Sequence, residues 1–174
     1  MTARHGIKFR LGRLLLFFAA TTTAVSAELK CGAAVVDVSP QKFPVIQNGG
    51  FLEALQQRQL DPLHARALVF DDGKETLAIV VVDSCMIPRD VCDDAKAKAQ
   101  QQTGIATDRI LISATHTHSA PSVMDYCLGT RKDPAYTKYL PGKIAEAVQL
   151  AHAKLQPAKV GFASADAGEF TKNR

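Results

Sequence analysis

Apolar residues fall in short runs divided by turn chemistry along the first half of the chain, and in helical stripes along much of the second. Residues 31–38 (CGAAVVDV) read as a strand that enters a loop at Ser39-Pro40. The stretch 40–62 carries Pro44, Asn48, Gly49, Gly50 and Pro62, so it is expected to be a long connection, with a short helical piece around 53–58. Two β-prone runs, 66–70 and 76–82, flank Asp71-Asp72-Gly73 and predict a hairpin. The second run, LAIVVV, does not alternate, which predicts a strand covered on both faces; it ends at the carboxylate of Asp83.

The remaining pattern is helical and β in turn. Residues 89–103 predict a helix with Asp90, Asp93 and Asp94 near its positive end, a stripe of Val91, Ala95 and Ala99, and Gly104 as its stop. Residues 109–114 contain Ile110-Leu111-Ile112, a buried-strand candidate that runs into Thr115-His116-Thr117-His118-Ser119. Between 133 and 155, Tyr136, Leu140, Ile144, Val148, Ala151 and Leu155 recur every three or four residues and define one face of a mainly helical segment. Pro141-Gly142 is expected to split off its first turns, and 159–163 to form a last strand. Strands alternating with helices predict an α/β fold: a mixed, partly parallel sheet flanked by helices. In such folds ligands gather at the carboxyl ends of strands, where Asp83 and the histidine pair both fall.

The first 27 residues change the charge argument. Arg4, Lys8, Arg10 and Arg13 precede an apolar run at 14–20, and Val25-Ser26-Ala27 has the small-x-small form of a cleavage site. The run is too short to span a bilayer stably. The expectation is a cleaved signal peptide at 1–27, a cut after Ala27, and a secreted or periplasmic product in which 28–174 is the folded domain. Four of the 21 basic residues and none of the 17 acidic ones lie in that leader, so the remainder balances at 17 and 17. No cationic stripe is left for nucleic acid. Export permits disulfides among Cys31, Cys85, Cys92 and Cys127, in three full pairings; one disulfide and free buried thiols both remain open.

The densest chemistry lies in Thr115–Ser119. In extended backbone His116 and His118 share a face and can enter one pocket. Imidazole is a common zinc ligand, and catalytic zinc polarises a carbonyl and activates water. A bare H-x-H pair leaves metal binding and loop capping equally open. His64 could approach the same pocket from a strand-entry loop, while His152 reads as structural or exposed and His5 lies in the leader. No G-x-S-x-G elbow and no phosphate-binding glycine loop is present.

Taken in order, AAVVDVSP, QNGGF, HARALVF, LAIVVVD, ISATHTHSAP, AHAKLQPAKVGFASA and the Asn173-Arg174 pair resemble the amino-terminal domain of the neutral/alkaline, non-lysosomal ceramidases. The likeness runs from about residue 29 to the end. It implies His116 as a ligand of catalytic zinc, His118 as a pocket residue beside the substrate, and Arg174 as an active-site guanidinium orienting an oxyanion or hydroxyl through paired donors. It implies hydrolysis of the amide of ceramide or a related lipid, with contact to a membrane surface as a route to substrate. The family's other zinc ligands and its serine nucleophile lie downstream, so the resemblance makes this chain the front part of a longer enzyme, incomplete by itself. Ala120-Pro121-Ser122-Val123 stands where the family has glycines, a departure that leaves a different amide or ester open as the substrate beside ceramide. Two other readings stand beside this one. Amidohydrolase barrels also use H-x-H, but on their first strand, whereas three strands precede it here. A non-enzymatic exported binding module could keep the fold without the chemistry.

Overall fold

The computed structural model describes residues 28–126 and 128–172. The leader, Cys127, Asn173 and Arg174 lie outside the described residues. Among the described residues, seven strands and two α-helices follow one another as β1 (Lys30–Asp37), β2 (Val45–Gln47), β3 (Ala54–Gln56), β4 (His64–Asp71), β5 (Thr76–Val82), α1 (Arg89–Thr103), β6 (Ile110–Ala114), α2 (Pro134–His152) and β7 (Gln156–Pro157). Five strands form one sheet in the order β6-β5-β4-β1-β7. The β5–β6 pair is parallel and the other pairs are antiparallel. This is the mixed α/β sheet that the alternation of runs predicts.

One face of the sheet makes the core. Ala34, Val36, Ala67, Val69, Ala78, Val80 and Val82 point to the helical layer and are buried. Residues two apart share a face in a strand, so each strand delivers alternate side chains to that layer. From α2, Tyr136, Leu140, Ile144, Val148 and Ala151 fill the other side, which is the stripe read from the sequence. From α1, Val91, Ala95 and Ala99 are buried, and Gly104 closes the helix in the left-handed region at φ 79°. Gly32 lies against α2: a Cβ there would sit 2.0 Å from the Ala151 carbonyl oxygen. No helix among the described residues is long and apolar enough to cross a membrane.

Four expectations fail in instructive ways. Residues 53–58 are not helical; Ala54–Gln56 pairs with β2 as a small exposed hairpin. Pro141 does not split α2, because it sits buried within an unbroken helix. The last strand is not at 159–163, where Phe162 is exposed; the chain instead pairs at Gln156 and Pro157 with Cys31 and Lys30. Finally, β5 is not covered on both faces. Val80 is fully buried, but its neighbours Ile79 and Val81 are half-buried and Leu77 is exposed. The same open face carries Val35, Leu68 and Leu111, all exposed.

The loop system at the carboxyl end of β5 and β6 is tied down by polar contacts. Asp133 caps α2, its Oδ1 accepting from Ala135 N at 3.1 Å and Tyr136 N at 3.0 Å. Its Oδ2 accepts from Ile46 N in β2 at 3.3 Å. One buried carboxylate therefore joins the helix start to the loop strand. Losing an N-cap of this kind costs about 1–2 kcal/mol. Asp133→Ala is expected to lower unfolding stability by at least that amount in a urea titration, while Asp133→Asn keeps most of the stability by preserving an acceptor.

Candidate metal centre

The parallel pairing of β5 with β6 places the two functional segments side by side. Val82 is opposite Ala114, and Thr115 N donates to the Val82 carbonyl at 2.9 Å. Asp83, Ser84 and Cys85 therefore leave the sheet next to Thr115-His116. His116 then takes φ 61°, a left-handed conformation that a side chain adopts at a cost. The turn directs its Nδ1 to the Cys85 backbone oxygen, 2.8 Å away. A carbonyl can only accept, so Nδ1 carries the proton and donates. In neutral His116 this leaves a lone pair on Nε2.

That Nε2 faces His118. The two Nε2 atoms are 3.3 Å apart, and the rings meet edge to face with centroids 4.9 Å apart. Two nitrogens each about 2.0–2.1 Å from a tetrahedral zinc ion are roughly 3.3 Å from one another. The spacing fits two zinc donors and equally an N–H···N hydrogen bond in which protonated His118 Nε2 donates to His116 Nε2, and a carbonyl bond on the far nitrogen is the usual support for a ligating histidine. Both imidazoles are exposed, while the Cys85 side chain is buried with Sγ 3.8 Å from His116 Nδ1. One donor atom from each of Cys85, His116 and His118 lies within 4.8 Å of the others. These residues fit a divalent cation. Sequence pattern marks the histidines but gives no reason to join Cys85 to them.

A backbone annex holds the motif in place. Asn48 N donates to Ala120 O at 3.0 Å and Ser122 N to Ile46 O at 2.7 Å. Buried Asn48 reaches Ser122 Oγ through Nδ2 at 3.2 Å. Gln47 Nε2 donates to the His118 carbonyl. Gly49 packs directly on His118: its φ is 102°, and a Cβ there would fall 2.3 Å from His118 Cβ. This is the physical content of the QNGG stretch.

Beside this centre lies a cleft of about 590 Å³, bordered by Phe43, Leu60, Asp83, Thr117, Ser119 and Pro121 among others. The alternate residues of the motif, Thr117 and Ser119, border it; the two histidines face each other instead of lining it. Asp83 is committed to structure, its Oδ2 accepting from His64 N and from Arg66 Nη1, both at 2.9 Å. His64 makes a contact of 3.3 Å to Arg66 through Nδ1, and its ring is tied to the strand end and not to the histidine pair. His152 lies at the end of α2, half-buried. Cys31 and Cys92 are free thiols and form no disulfide with each other or with Cys85.

Comparison with known proteins agrees with this picture at the level of fold. No protein-family model matches the chain. Among solved structures, the neutral ceramidase from Pseudomonas aeruginosa superposes with a TM-score of 0.65 at 22% identity over 75% of this chain. A ceramidase complexed with C2 superposes with a TM-score of 0.62 at 21% identity, again over 75% of the chain. The chain spans 22% of the length of each. The fold is thus ceramidase-like, and the chain carries a group that can hold a metal at the carboxyl ends of its parallel strands.

The Gly49 contact generates a direct expectation. Gly49→Ala adds a clash against His118 and strain at a positive φ, so His118 must move away from His116. Metal affinity measured by isothermal titration is expected to fall at least about tenfold, equivalent to the loss of roughly 1.4 kcal/mol, with the far-UV spectrum unchanged.

Proposed function

We propose that the chain is the front part of an exported, zinc-dependent hydrolase that cleaves the amide bond of ceramide or a related lipid amide. The observation that carries this reading is the His116–His118 pair. Its two Nε2 atoms are 3.3 Å apart at the carboxyl end of the β5–β6 pair, in a fold that resembles neutral ceramidases. His116 is the zinc ligand in this reading, oriented by the Cys85 carbonyl. Zinc, when bound, supplies Lewis acidity toward a carbonyl oxygen and activates water. His118 and Arg174 are the catalytic groups assigned from this chain. His118 stands beside the zinc ligand, where it can hold or pass a proton at Nε2. The Arg174 guanidinium, outside the described residues, orients an oxyanion or substrate hydroxyl.

The neighbouring cleft supports an acyl substrate. Phe43, Leu60 and Pro121 give it apolar walls, and Asp83, Thr117 and Ser119 give it polar ones. Phe51, Leu52 and Tyr126 are highly exposed on adjoining loops, which suits substrate drawn from a membrane surface. A second reading keeps the chemistry and changes the substrate to another amide or ester. It is favoured by Ala120 and Pro121, whose side chains stand at the cleft wall.

Activity of the full-length protein against N-acylsphingosine tests the function. A chelator and His116→Ala are each expected to lower the rate by at least about a hundredfold, the scale of losing a metal's charge stabilisation. Undiminished hydrolysis in both would reject a metal enzyme, and metal-dependent turnover of other amides only would select the second reading. Export is tested separately: the mature protein recovered outside the cytoplasm is expected to begin at Glu28.

A further inference from the structure

We propose that the tip of the β2–β3 hairpin and the loop 124–131 form one wedge that inserts into the interface of a phospholipid bilayer. The proposal rests on the lipid-amide reading above and deepens it by assigning the surface that meets the lipid and the force that holds it there. β2 and β3 pair through Gln47 and Ala54, so residues 48–53 make the hairpin tip. Gln47 and Gln56 of the same two strands border the cleft, which sets the tip beside it.

Three large side chains stand out from these loops. Phe51, Leu52 and Tyr126 are 82%, 83% and 82% exposed. Leu60, also highly exposed, borders the cleft itself. A single exposed apolar residue is ordinary, but several large ones on adjoining loops mark an interaction site. The loops adjoin by direct contact. A Cβ on Gly129 would fall 2.1 Å from the Phe51 carbonyl oxygen, so the two backbones touch. Arg131 Nε and Nη2 donate to the Glu53 carboxylate at 2.8 and 2.6 Å. Tyr126 lies within electrostatic reach of the same guanidinium. The loop backbones are thus pinned to each other while their large side chains stand in solvent.

Charge decides what surface suits them. Arg131 is paired with Glu53, and Lys132 Nζ lies 3.1 Å from Asp125 Oδ2, so these four groups cancel within the patch. Such a patch has little attraction for anionic lipid, and attachment comes from apolar side chains leaving water. Phenylalanine and leucine side chains suit the acyl boundary, and tyrosine suits the headgroup level, where its hydroxyl stays wet. Side chains that project from two loop tips match a deformable lipid layer better than a rigid protein face.

Flotation of the full-length protein with phosphatidylcholine vesicles tests the wedge without any activity or metal measurement, so its outcome is separate from that of the hydrolase reading. The wild type is expected to float with the vesicles, equally at low and high salt. The double variant Phe51→Ser/Leu52→Ser is expected to lower vesicle partition at least about tenfold, because two large apolar side chains leave the inserted surface. Tyr126→Ser is expected to lower it by about threefold, and both variants keep the wild-type circular dichroism spectrum. Phe162→Ser, at a site 96% exposed beyond β7, is expected to partition like the wild type. Wild-type partition that needs phosphatidylglycerol and vanishes at high salt would overturn the wedge, as would equal losses in the Phe162 and hairpin-tip variants. Wild type that ignores vesicles but forms a dimer abolished by Phe51→Ser/Leu52→Ser would overturn the lipid and give the patch to a second copy of the chain.

Discussion

The parallel register between β5 and β6 is the constraint on which the site depends. With Val82 set opposite Ala114, the chain leaves both strands at the same level, and residues 83–85 meet residues 115–118. One backbone bond, Thr115 N to Val82 O, extends that register past the sheet edge. A slip by one residue would turn Ala78, Val80 and Val82 out of the core, so the packing that stabilises the domain also fixes where the histidines emerge. Core and site are thereby coupled: the apolar layer holds the register, and the register places the donors.

The second level of control is local. His116 occupies a left-handed conformation, which costs energy and is retained at a point where its ring meets a carbonyl at Nδ1 and presents Nε2 to His118. Gly49 accepts the close approach of His118, and Asn48 and Ser122 tie the segments around it together. Rigid support for each donor is what a binding centre needs, since a site loosened by an ångström loses most of its affinity or rate. The ceramidase-like fold supplies the frame, and these contacts give the frame a particular chemistry.

Much of this is legible in the residues and some is not. Helical stripes in α1 and α2, the Asp71-Asp72-Gly73 turn, the Gly104 stop and the role of strand ends all follow from period and turn chemistry, because those are local properties. The histidine pair is legible as a pair, though its rings meet each other instead of lining the main cleft. Cys85 escapes a sequence reading because 31 residues separate it from His116 and only the β5–β6 crossover joins them. The open face of β5 is hidden for a related reason. Apolar character in LAIVVV shows that both faces avoid water, but which layer covers each is a tertiary matter, and among the described residues only one face is covered. The strand at Ala54–Gln56 and the unbroken helix through Pro141 show tertiary pairing and packing overriding weak local preference.

The site's chemistry rests on His116 holding a cation at the end of the parallel pair, with the His118 imidazole beside it. X-ray absorption at the zinc edge of the zinc-loaded, full-length protein measures this directly. The expected spectrum has nearest-shell nitrogen with the outer-shell scattering of an imidazole ring, reduced in His116→Ala. A first shell made of oxygen alone, unchanged by that substitution, would contradict it.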